Sequence, residues 1–355
     1  CYYGYVPFRK EIKRNKMFIM EGVKRMDCIS IVVPCFNEEE ALPLFYERIS
    51  AVLSEMPQID YELLFVDDGS SDETLPLLQA LIHADDQVRY LSFSRNFGKE
   101  AAMYAGFSEA VGDYIVVMDI DLQHPPELLP KMYQMLKAEN VDCVGGKRVS
   151  RTGEKKLRSL LSRAFYRVAN ILSTVSMKDG EGDFRMMSRR MVEAILSVKE
   201  YNRYSKGIFQ FVGFETRWIE YENVPRVAGQ TKWSFLSLLR YAVDGIFSFS
   251  AVPLVLASYC GLLFCIFSFI MGIYIAGKTI LFGNSVSGWT TLVCILLLGF
   301  GLQMLFIGLL GQYVAKNYME SKHRPLYFFK ESGGMKPKIE KDKRQLDRKR
   351  HVRSL

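Results

Sequence analysis

Two stretches of this sequence, residues 251–276 and 289–314, contain no charged residue. A helix of about 25 residues is roughly 37 Å long, which exceeds the bilayer hydrocarbon thickness of about 30 Å. A buried helix of a soluble protein seldom avoids charge over that length. Both stretches are therefore predicted to be transmembrane helices, in a membrane segment of residues 250–315.

Cysteine pairing is also lacking. None of the seven cysteines forms a C-x-x-C motif, and three of them lie in strongly apolar sequence. This pattern argues against both a disulfide framework and a zinc site.

The folded body of the chain lacks a concentration of basic residues. Residues 335–355 contain nine Lys or Arg against three Asp or Glu, and residues 1–26 contain seven against two. A nucleic-acid-binding protein carries its cations on a folded face. Because these basic ends flank apolar segments instead, the predicted partner is a membrane with anionic lipids, and no nucleic acid.

Charge around the two apolar stretches predicts their orientation. Five basic residues flank the outer ends, whereas only Lys278 lies near the connection; the five are Lys232, Arg240, Lys316, Lys322 and Arg324. The positive-inside rule then places both ends in the cytoplasm, with residues 316–355 as a basic cytoplasmic tail. Residues 1–26, which precede no signal-type apolar core, are predicted to be a poorly ordered leader or tag.

Between these ends, apolar runs alternate with helical patterns, which is typical of an α/β doubly wound sheet. The predicted strands are residues 29–33, 63–66, 88–93, 114–118 and 141–144, and the predicted helices are 38–53, 73–83, 99–110 and 127–139. Farther on, residues 155–173 form a basic amphipathic pattern. That helix could lie in a membrane interface or pack on its own domain or another subunit, and the sequence leaves both open.

Two carboxylates one residue apart follow the fourth strand, at Asp119 and Asp121. Ligands of open α/β sheets bind beyond the carboxyl ends of the strands, and hard cations take oxygen ligands while keeping positions for substrate phosphates. The pair therefore indicates a divalent metal and a substrate with a nucleotide diphosphate.

Four polar motifs follow the first four strands, at residues 34–38, 66–72, 94–100 and 119–127. Each alone is ordinary, because strand-to-helix turns favour Asp, Asn, Gly and Ser for local hydrogen bonding. All four are expected at one edge of the sheet, and together they predict a site.

In order and spacing these motifs resemble family-2 inverting glycosyltransferases. With the sequence Gly-Asp-Phe-Arg at 182–185 and two C-terminal apolar helices, they resemble polyisoprenyl-phosphate sugar transferases of the bactoprenol glucosyltransferase type, with dolichyl-phosphate mannose synthases as relatives. The resemblance covers residues 28–320. It implies a GT-A, Rossmann-like nucleotide-sugar domain at 27–230, a juxtamembrane interfacial helix at 231–249 and a two-helix membrane hairpin.

The resemblance also implies site residues. The metal ligands are Asp119, Asp121 and Gln123, for Mg²⁺ or Mn²⁺, and Asp183 matches the position usually assigned as catalytic base. The nucleotide-sugar residues are Pro34, Asn37, Glu38, Asp67, Asp68, Lys99 and Asp119.

A lipid phosphate acceptor adds a chemical requirement. Its second pKa near 6 leaves it largely dianionic at neutral pH, so it needs cations more than a base. Basic residues before the membrane segment are predicted to bind it, with Asp183 orienting them or the attacking oxygen; these are Arg203, Lys206, Arg226 and Lys232. The alternative is that they are ordinary basic residues contacting lipid headgroups.

The implied reaction is inverting transfer of one hexose, glucose from UDP-glucose, to undecaprenyl phosphate at the cytoplasmic face of the cell membrane. Phe214 stands where processive synthases carry the Gln of Q-x-x-R-W, which disfavours polymer synthesis. A GDP-mannose transferase of the dolichyl type and a non-catalytic nucleotide- or lipid-binding scaffold stay open as alternatives.

Two further expectations concern a turn residue and assembly. His124 fits a structural turn better than a metal neighbour. The membrane anchor would suit a homo-oligomer.

Overall fold

The computed structural model describes residues 26–149, 181–222, 252–282 and 288–335. Several predicted features lie outside these ranges, so they stay predictions. They are the leader at 1–25, the amphipathic helix at 155–173, the juxtamembrane helix at 231–249, the tail from 336 onward, Arg226 and Lys232.

Eight strands form one mixed sheet in the described parts of the chain. They are β1 (Cys28–Cys35), β2 (Asp60–Asp67), β3 (Val88–Phe93), β4 (Tyr114–Val117), β5 (Cys143–Arg148), β6 (Glu181–Ser188), β7 (Thr216–Tyr221) and β8 (Phe329–Gly333). Their order across the sheet is β7-β5-β6-β4-β1-β2-β3-β8. Strand β6 runs antiparallel to both β4 and β5, and β8 runs antiparallel to β3.

The helices are α1 (Ala41–Ser54), α2 (Thr74–Ala84), α3 (Lys99–Glu109), α4 (Leu129–Glu139), α5 (Arg189–Ser197), α6 (Ser205–Phe211), α7 (Val252–Phe282) and α8 (Trp289–Ser321), with a 3₁₀ turn at Pro126–Leu128. Apolar residues of α1, α2 and α4 cover one face of the sheet, and those of α3, α5 and α6 cover the other. The α/β arrangement predicted from the alternating pattern is thus confirmed.

Strand β1 lies in the middle of the sheet, between β4 and β2. All eight of its residues are buried. A continuous apolar run of this kind is typical of a parallel strand covered on both faces. It pairs in parallel with β2 and β4, so the carboxyl ends of β1 to β4 meet at one edge. We call this edge, with the loops that follow these strands, the rim.

Helix α3 approaches the sheet closely through small residues. A Cβ added at Gly106 would lie 2.2 Å from a methyl carbon of Val32. Because buried groups are close-packed, a larger residue there would push the helix outward. The absence of a side chain at Gly106 therefore sets the distance between α3 and the sheet. Lys99 is the first residue of this helix.

Both predicted membrane stretches are helical, as α7 and α8. Within the described residues, one stretch, Leu298–Ser321, is long and apolar enough to cross a membrane, and the apolar part of α7 is shorter, at Ala257–Met271. A Cβ at Gly299 would lie 3.7 Å from the Phe264 ring, so the helices contact each other there. The structure therefore supports one spanning candidate, and the two-helix membrane hairpin is not shown.

The region beyond α8 differs from the prediction of a simple basic tail. Residues Phe329–Gly333 form the edge strand β8, paired with β3. Its alternating exposure is typical of an edge strand, and a five-residue segment beside many charges gives a weak sequence signal. The chain thus returns from α8 to the sheet.

Candidate functional site

The loops after β1 and β2 are tied together by hydrogen bonds. The Asn37 backbone N–H donates to the Ser70 hydroxyl at 2.9 Å, and the Asn37 side-chain oxygen accepts from the Ser71 N–H at 2.8 Å. The Glu38 N–H donates to the Thr74 hydroxyl at 2.8 Å. Predicted nucleotide-sugar residues on different loops therefore lie together on the rim.

Asp67 ends β2 and is fully buried. Its carboxylate accepts from the Ser70 N–H at 2.9 Å and from the Ser92 hydroxyl at 2.7 Å. Since one oxygen binds the loop after β2 and the other binds β3, Asp67 supports the rim from within. Pro34 lies beside β2, opposite Val66, in the register that brings the two loops together.

Asp68 connects the second loop to the third. Its carboxylate accepts from the Phe97 N–H at 2.6 Å and the Gly98 N–H at 2.9 Å. Burial raises its pKa to about 6, against the lowering effect of these two bonds. The intervening Gly69 has φ of 73°, and a Cβ there would lie 2.5 Å from an Arg95 backbone carbon. Glycine suits this position because the left-handed conformation disfavours a side chain and the close contact leaves no room for one.

Lys99 lies between two carboxylates. Its Nζ is 2.6 Å from Asp119 Oδ1 and 3.1 Å from Asp183 Oδ2. Burial lowers the pKa of Lys99, but the two carboxylates outweigh burial and raise it above the ordinary value. The structure therefore brings together three predicted site residues from three different elements.

Asp183 carries a partly buried carboxylate in β6. Burial raises its pKa, but the charges of Lys99 and then Lys206 outweigh burial and hold the pKa well below its usual range. Asp183 Oδ1 is buried with no hydrogen-bond partner among the described residues. An ionised carboxylate with one oxygen unsatisfied is expected to bind a further donor or cation.

Asp121 and Gln123 shape the turn after β4. The Gln123 N–H donates to Asp121 Oδ1 at 3.1 Å, and Leu122 between them has φ of 58°. Asp121 is 8% exposed. The turn keeps both members of the carboxylate pair on the rim, although Asp121 is directed into the protein more than Asp119.

His124 has a structural role. Its Nδ1 accepts from the Asp119 N–H at 3.0 Å, and its ring stacks on Phe184 at 5.0 Å between centroids. Burial lowers its pKa, which favours the neutral imidazole that can accept this bond. The geometry supports the interpretation of His124 as a turn residue, holding the Asp119 backbone.

The two described members of the predicted phosphate-binding set lie in different environments. Lys206 lies in the first turn of α6, close enough to Asp183 to lower its pKa. Arg203 is 9% exposed, and its guanidinium donates to the Val198 and Ile195 carbonyls and lies 4.4 Å from the Tyr104 ring centroid. The structure thus gives Arg203 a buried, loop-holding position in place of a rim position.

Some residues that hold the site escaped the sequence reasoning. Glu100, in the first turn of α3, accepts from the Ser205 N–H at 3.0 Å and from the Ser205 hydroxyl. Arg185 is buried and stacks 3.8 Å from the Phe209 ring centroid. Both lie within quoted motifs, Glu100 in 94–100 and Arg185 in 182–185, but the motifs do not identify their partners Ser205 and Phe209.

The donor set has the chemistry of a hard-cation site but is small. Among the described residues, no group of three or more His, Cys, Asp or Glu side chains could hold a metal ion by itself. Mg²⁺ commonly binds through one or two carboxylates and completes its shell with waters and substrate phosphates. Asp119 and Asp121 fit a metal that arrives with a diphosphate.

Known proteins resemble this chain over most of its length. The family described as Glycosyl transferase family 2 matches residues 30–196. The prophage bactoprenol glucosyl transferase homolog of Escherichia coli (strain K12) is 42% identical over 303 residues, which are 85% of this chain and 98% of that protein. The bactoprenol glucosyl transferase of Shigella phage SfV has the same identity and coverage. A crystal structure of glucosyl-3-phosphoglycerate synthase from Mycobacterium tuberculosis, with Mn²⁺, UDP-glucose and phosphoglyceric acid, is 21% identical, with 66% of this chain and 80% of that chain covered and a TM-score of 0.42.

Proposed function

Because this chain belongs to glycosyl transferase family 2, we propose that it transfers one glucose from UDP-glucose to a polyprenyl phosphate, undecaprenyl phosphate in bacteria. The observation that carries the proposal is the Lys99 bridge between Asp119 and Asp183. It unites the motif expected to bind a diphosphate with the residue expected to face the acceptor. The relatives named bactoprenol glucosyl transferase support the acceptor and the sugar.

The donor half of the proposed site is the pair of loops after β1 and β2. Pro34, Asn37 and Glu38 line the nucleotide, and Asp67 and Asp68 shape the pocket through the loops that they hold. An aspartate in this position can accept from the imide N–H of uracil. The raised pKa of Asp68 makes it the weaker anion at neutral pH.

The diphosphate lies at Asp119 in this proposal. Asp119, Asp121 and Gln123 would hold Mg²⁺ or Mn²⁺, which would supply positive charge near the diphosphate. Lys99 adds the protein's own cation beside Asp119. Its ammonium can turn from the carboxylate toward a phosphate oxygen once the donor has bound.

The acceptor half contains Asp183 and Lys206. A dianionic lipid phosphate needs no base, and a carboxylate whose pKa is well below its usual range is a poor one. Asp183 therefore orients Lys99 and Lys206, which bring the acceptor oxygen to the anomeric carbon. Attack from the face opposite the leaving diphosphate inverts the configuration. Arg226 and Lys232 belong to the same proposal as further phosphate ligands.

The lipid acceptor requires the membrane. The stretch Leu298–Ser321 within α8 supplies one spanning candidate, and α7 is proposed to span beside it, with the catalytic domain and both ends of the hairpin in the cytoplasm. The basic ends then face anionic lipid. A homo-oligomer is compatible with this anchor.

Membranes containing the protein, incubated with labelled UDP-glucose and undecaprenyl phosphate, test the function. We expect a glucosylated lipid, its loss on addition of EDTA, and its loss in Asp121→Ala. Asp86→Asn is the matched control, because Asp86 is exposed before β3, at the edge opposite the rim. Transfer from GDP-mannose instead would favour the mannosyltransferase alternative, and donor binding without transfer would favour a scaffold. Full activity in EDTA or in Asp121→Ala would remove the metal assignment.

A further inference from the structure

We propose that Glu320, Tyr327 and Phe328, which we call the collar, are positioning residues that fix the loops before α3 and α6 to the end of α8. The inference rests on the proposed function and concerns how the Lys99 and Lys206 cations are kept in place beneath a membrane-bound acceptor. The collar residues lie outside every motif of the rim: Glu320 is in the last turn of α8, and Tyr327 and Phe328 are in the segment that follows.

Glu320 contacts the loop before α6. Its Oε1 accepts from the Tyr201 N–H at 2.7 Å and from the Asn202 N–H at 3.2 Å. A carboxylate that accepts two backbone N–H groups makes charge-assisted bonds, which are the stronger kind. Glu320 is the penultimate residue of α8, so this loop is attached directly to the apolar helix.

Tyr327 contacts the last residue of β3, and Phe328 contacts the loop that follows it before α3. The Tyr327 ring stacks on Phe93 with centroids 4.9 Å apart, and the Phe328 carbonyl accepts from the Ser94 N–H at 2.9 Å. The Phe328 ring lies 6.2 Å from Phe97, whose N–H is bound by Asp68. The loop is therefore held by Asp68 on its inner side and by the collar on its outer side.

The two contacts join through a shared ring. Tyr104 of α3 lies 6.5 Å from the Tyr327 ring, and the Arg203 guanidinium lies 4.4 Å from the Tyr104 centroid. Arg203 in turn holds the carbonyl ends of α5. A continuous series of contacts thus runs from one end of the collar to the other around the start of α3.

This arrangement matters for the reaction because both loops end at a lysine near Asp183. Lys99 begins α3, and Lys206 lies in the first turn of α6, where Ser205 is bound by Glu100. Positioning errors of about 1 Å can cost on the order of 100-fold in rate. If the collar loosens, the lysines move relative to an acceptor whose height is fixed by the bilayer.

Kinetics of matched variants test the collar. Glu320→Gln should raise the KM for undecaprenyl phosphate about tenfold while the KM for UDP-glucose stays near wild type, because it loosens only the Lys206 side. Tyr327→Leu should raise the KM for UDP-glucose, and Tyr327→Phe, which keeps the stacked ring, should restore it. Glu331→Gln is the control, since Glu331 accepts from Gln79 at 2.6 Å on β8, away from both loops.

Hydrogen–deuterium exchange supplies a second measurement that needs no activity. Faster exchange is expected at the Tyr201 and Asn202 amides in Glu320→Gln and at the Ser94 amide in Tyr327→Leu, without a change in Glu331→Gln. Unchanged exchange in both variants would overturn the positioning role of the collar. So would a fall in kcat and a rise in both KM values that simply follow the change in melting temperature. An inactive wild-type protein with the expected exchange pattern would instead contradict the proposed function.

Discussion

The two halves of the rim treat their carboxylates differently. On the β1 and β2 side, Asp67 and Asp68 accept hydrogen bonds from the protein's own loops and from β3. On the β4 and β6 side, Asp119 and Asp183 share one cation, Lys99, and Asp183 Oδ1 has no hydrogen-bond partner among the described residues. The carboxylates of the first half stabilise the conformation of the protein, and those of the second half are available to bind a ligand. Substitutions in the first half should therefore affect stability, and those in the second should affect activity.

The largest expected effect is that of Lys99→Ala. Removing Lys99 leaves Asp119 and Asp183 without the cation that they share, and it removes a positive charge beside the proposed diphosphate position. We expect kcat to fall about 10²–10³-fold, as for the loss of one electrostatic group in an active site, with little change in melting temperature. The measurement is lipid glucosylation in membranes.

Lys137→Ala is the control for that substitution. Lys137 pairs with Asp27 at 2.6 Å, and this pair lies at the amino-terminal edge of the sheet, before β1. Partly exposed ion pairs contribute little to stability, so activity and stability should both stay near wild type. Equal activities of the two lysine variants would contradict the electrostatic role of Lys99.

Asp67→Ala should affect stability more than chemistry. The substitution leaves the Ser92 hydroxyl and the Ser70 N–H without their acceptor in a fully buried position. We expect a loss of about 3 kcal/mol in the free energy of unfolding, because one buried and one partly buried donor lose their partner. Urea unfolding in detergent measures it, and a stable but inactive variant would show that Asp67 acts on the substrate instead.

Much of the rim could be predicted from sequence because its parts are local. The apolar runs of β1 to β4 and the polar residues after each strand are contiguous, so the strands and the convergence of Asn37, Asp68 and Asp119 were predicted. The pairing of β6 between β4 and β5 and the return of β8 depend on contacts between distant segments. No periodicity encodes such pairings.

Burial explains the remaining differences. Arg203 was expected at an acceptor phosphate because a basic residue before a membrane segment is usually exposed, yet its guanidinium binds the Val198 and Ile195 carbonyls. The role of Lys99 as a bridge likewise depends on Asp183, which lies 84 residues away in the chain. A sequence motif identifies Lys99 as a site residue but does not identify Asp183 as its partner.

Two glycines separate the cost of a left-handed backbone from the cost of a close contact. Gly69 and Gly213 have φ of 73° and 71°, but a Cβ would meet the Arg95 backbone only at Gly69 and nothing within 4 Å at Gly213. Gly213→Ala should cost about 1 kcal/mol for the left-handed backbone, and Gly69→Ala should cost about 2 kcal/mol because the Asp68 loop must also move. Unfolding free energies measure both, and equal costs would show that the Arg95 contact is easily relaxed.

The smallest effect concerns pH. Asp68 has a folded-state pKa of about 6, raised by burial above the ordinary aspartate value of 3.8. Between these values the folded state binds more protons than the unfolded state, so stability from this group rises as pH falls through 6 and is constant above about pH 7. The difference in unfolding free energy between wild type and Asp68→Asn should therefore shift toward wild type by about 1 kcal/mol from pH 7 to pH 5. A difference in unfolding free energy that does not change between pH 7 and pH 5 would show that the Asp68 carboxylate has the pKa of an ordinary solvated acid. Of the described residues, Asp67 would then be the one buried acid that stabilises the loops of this half of the rim.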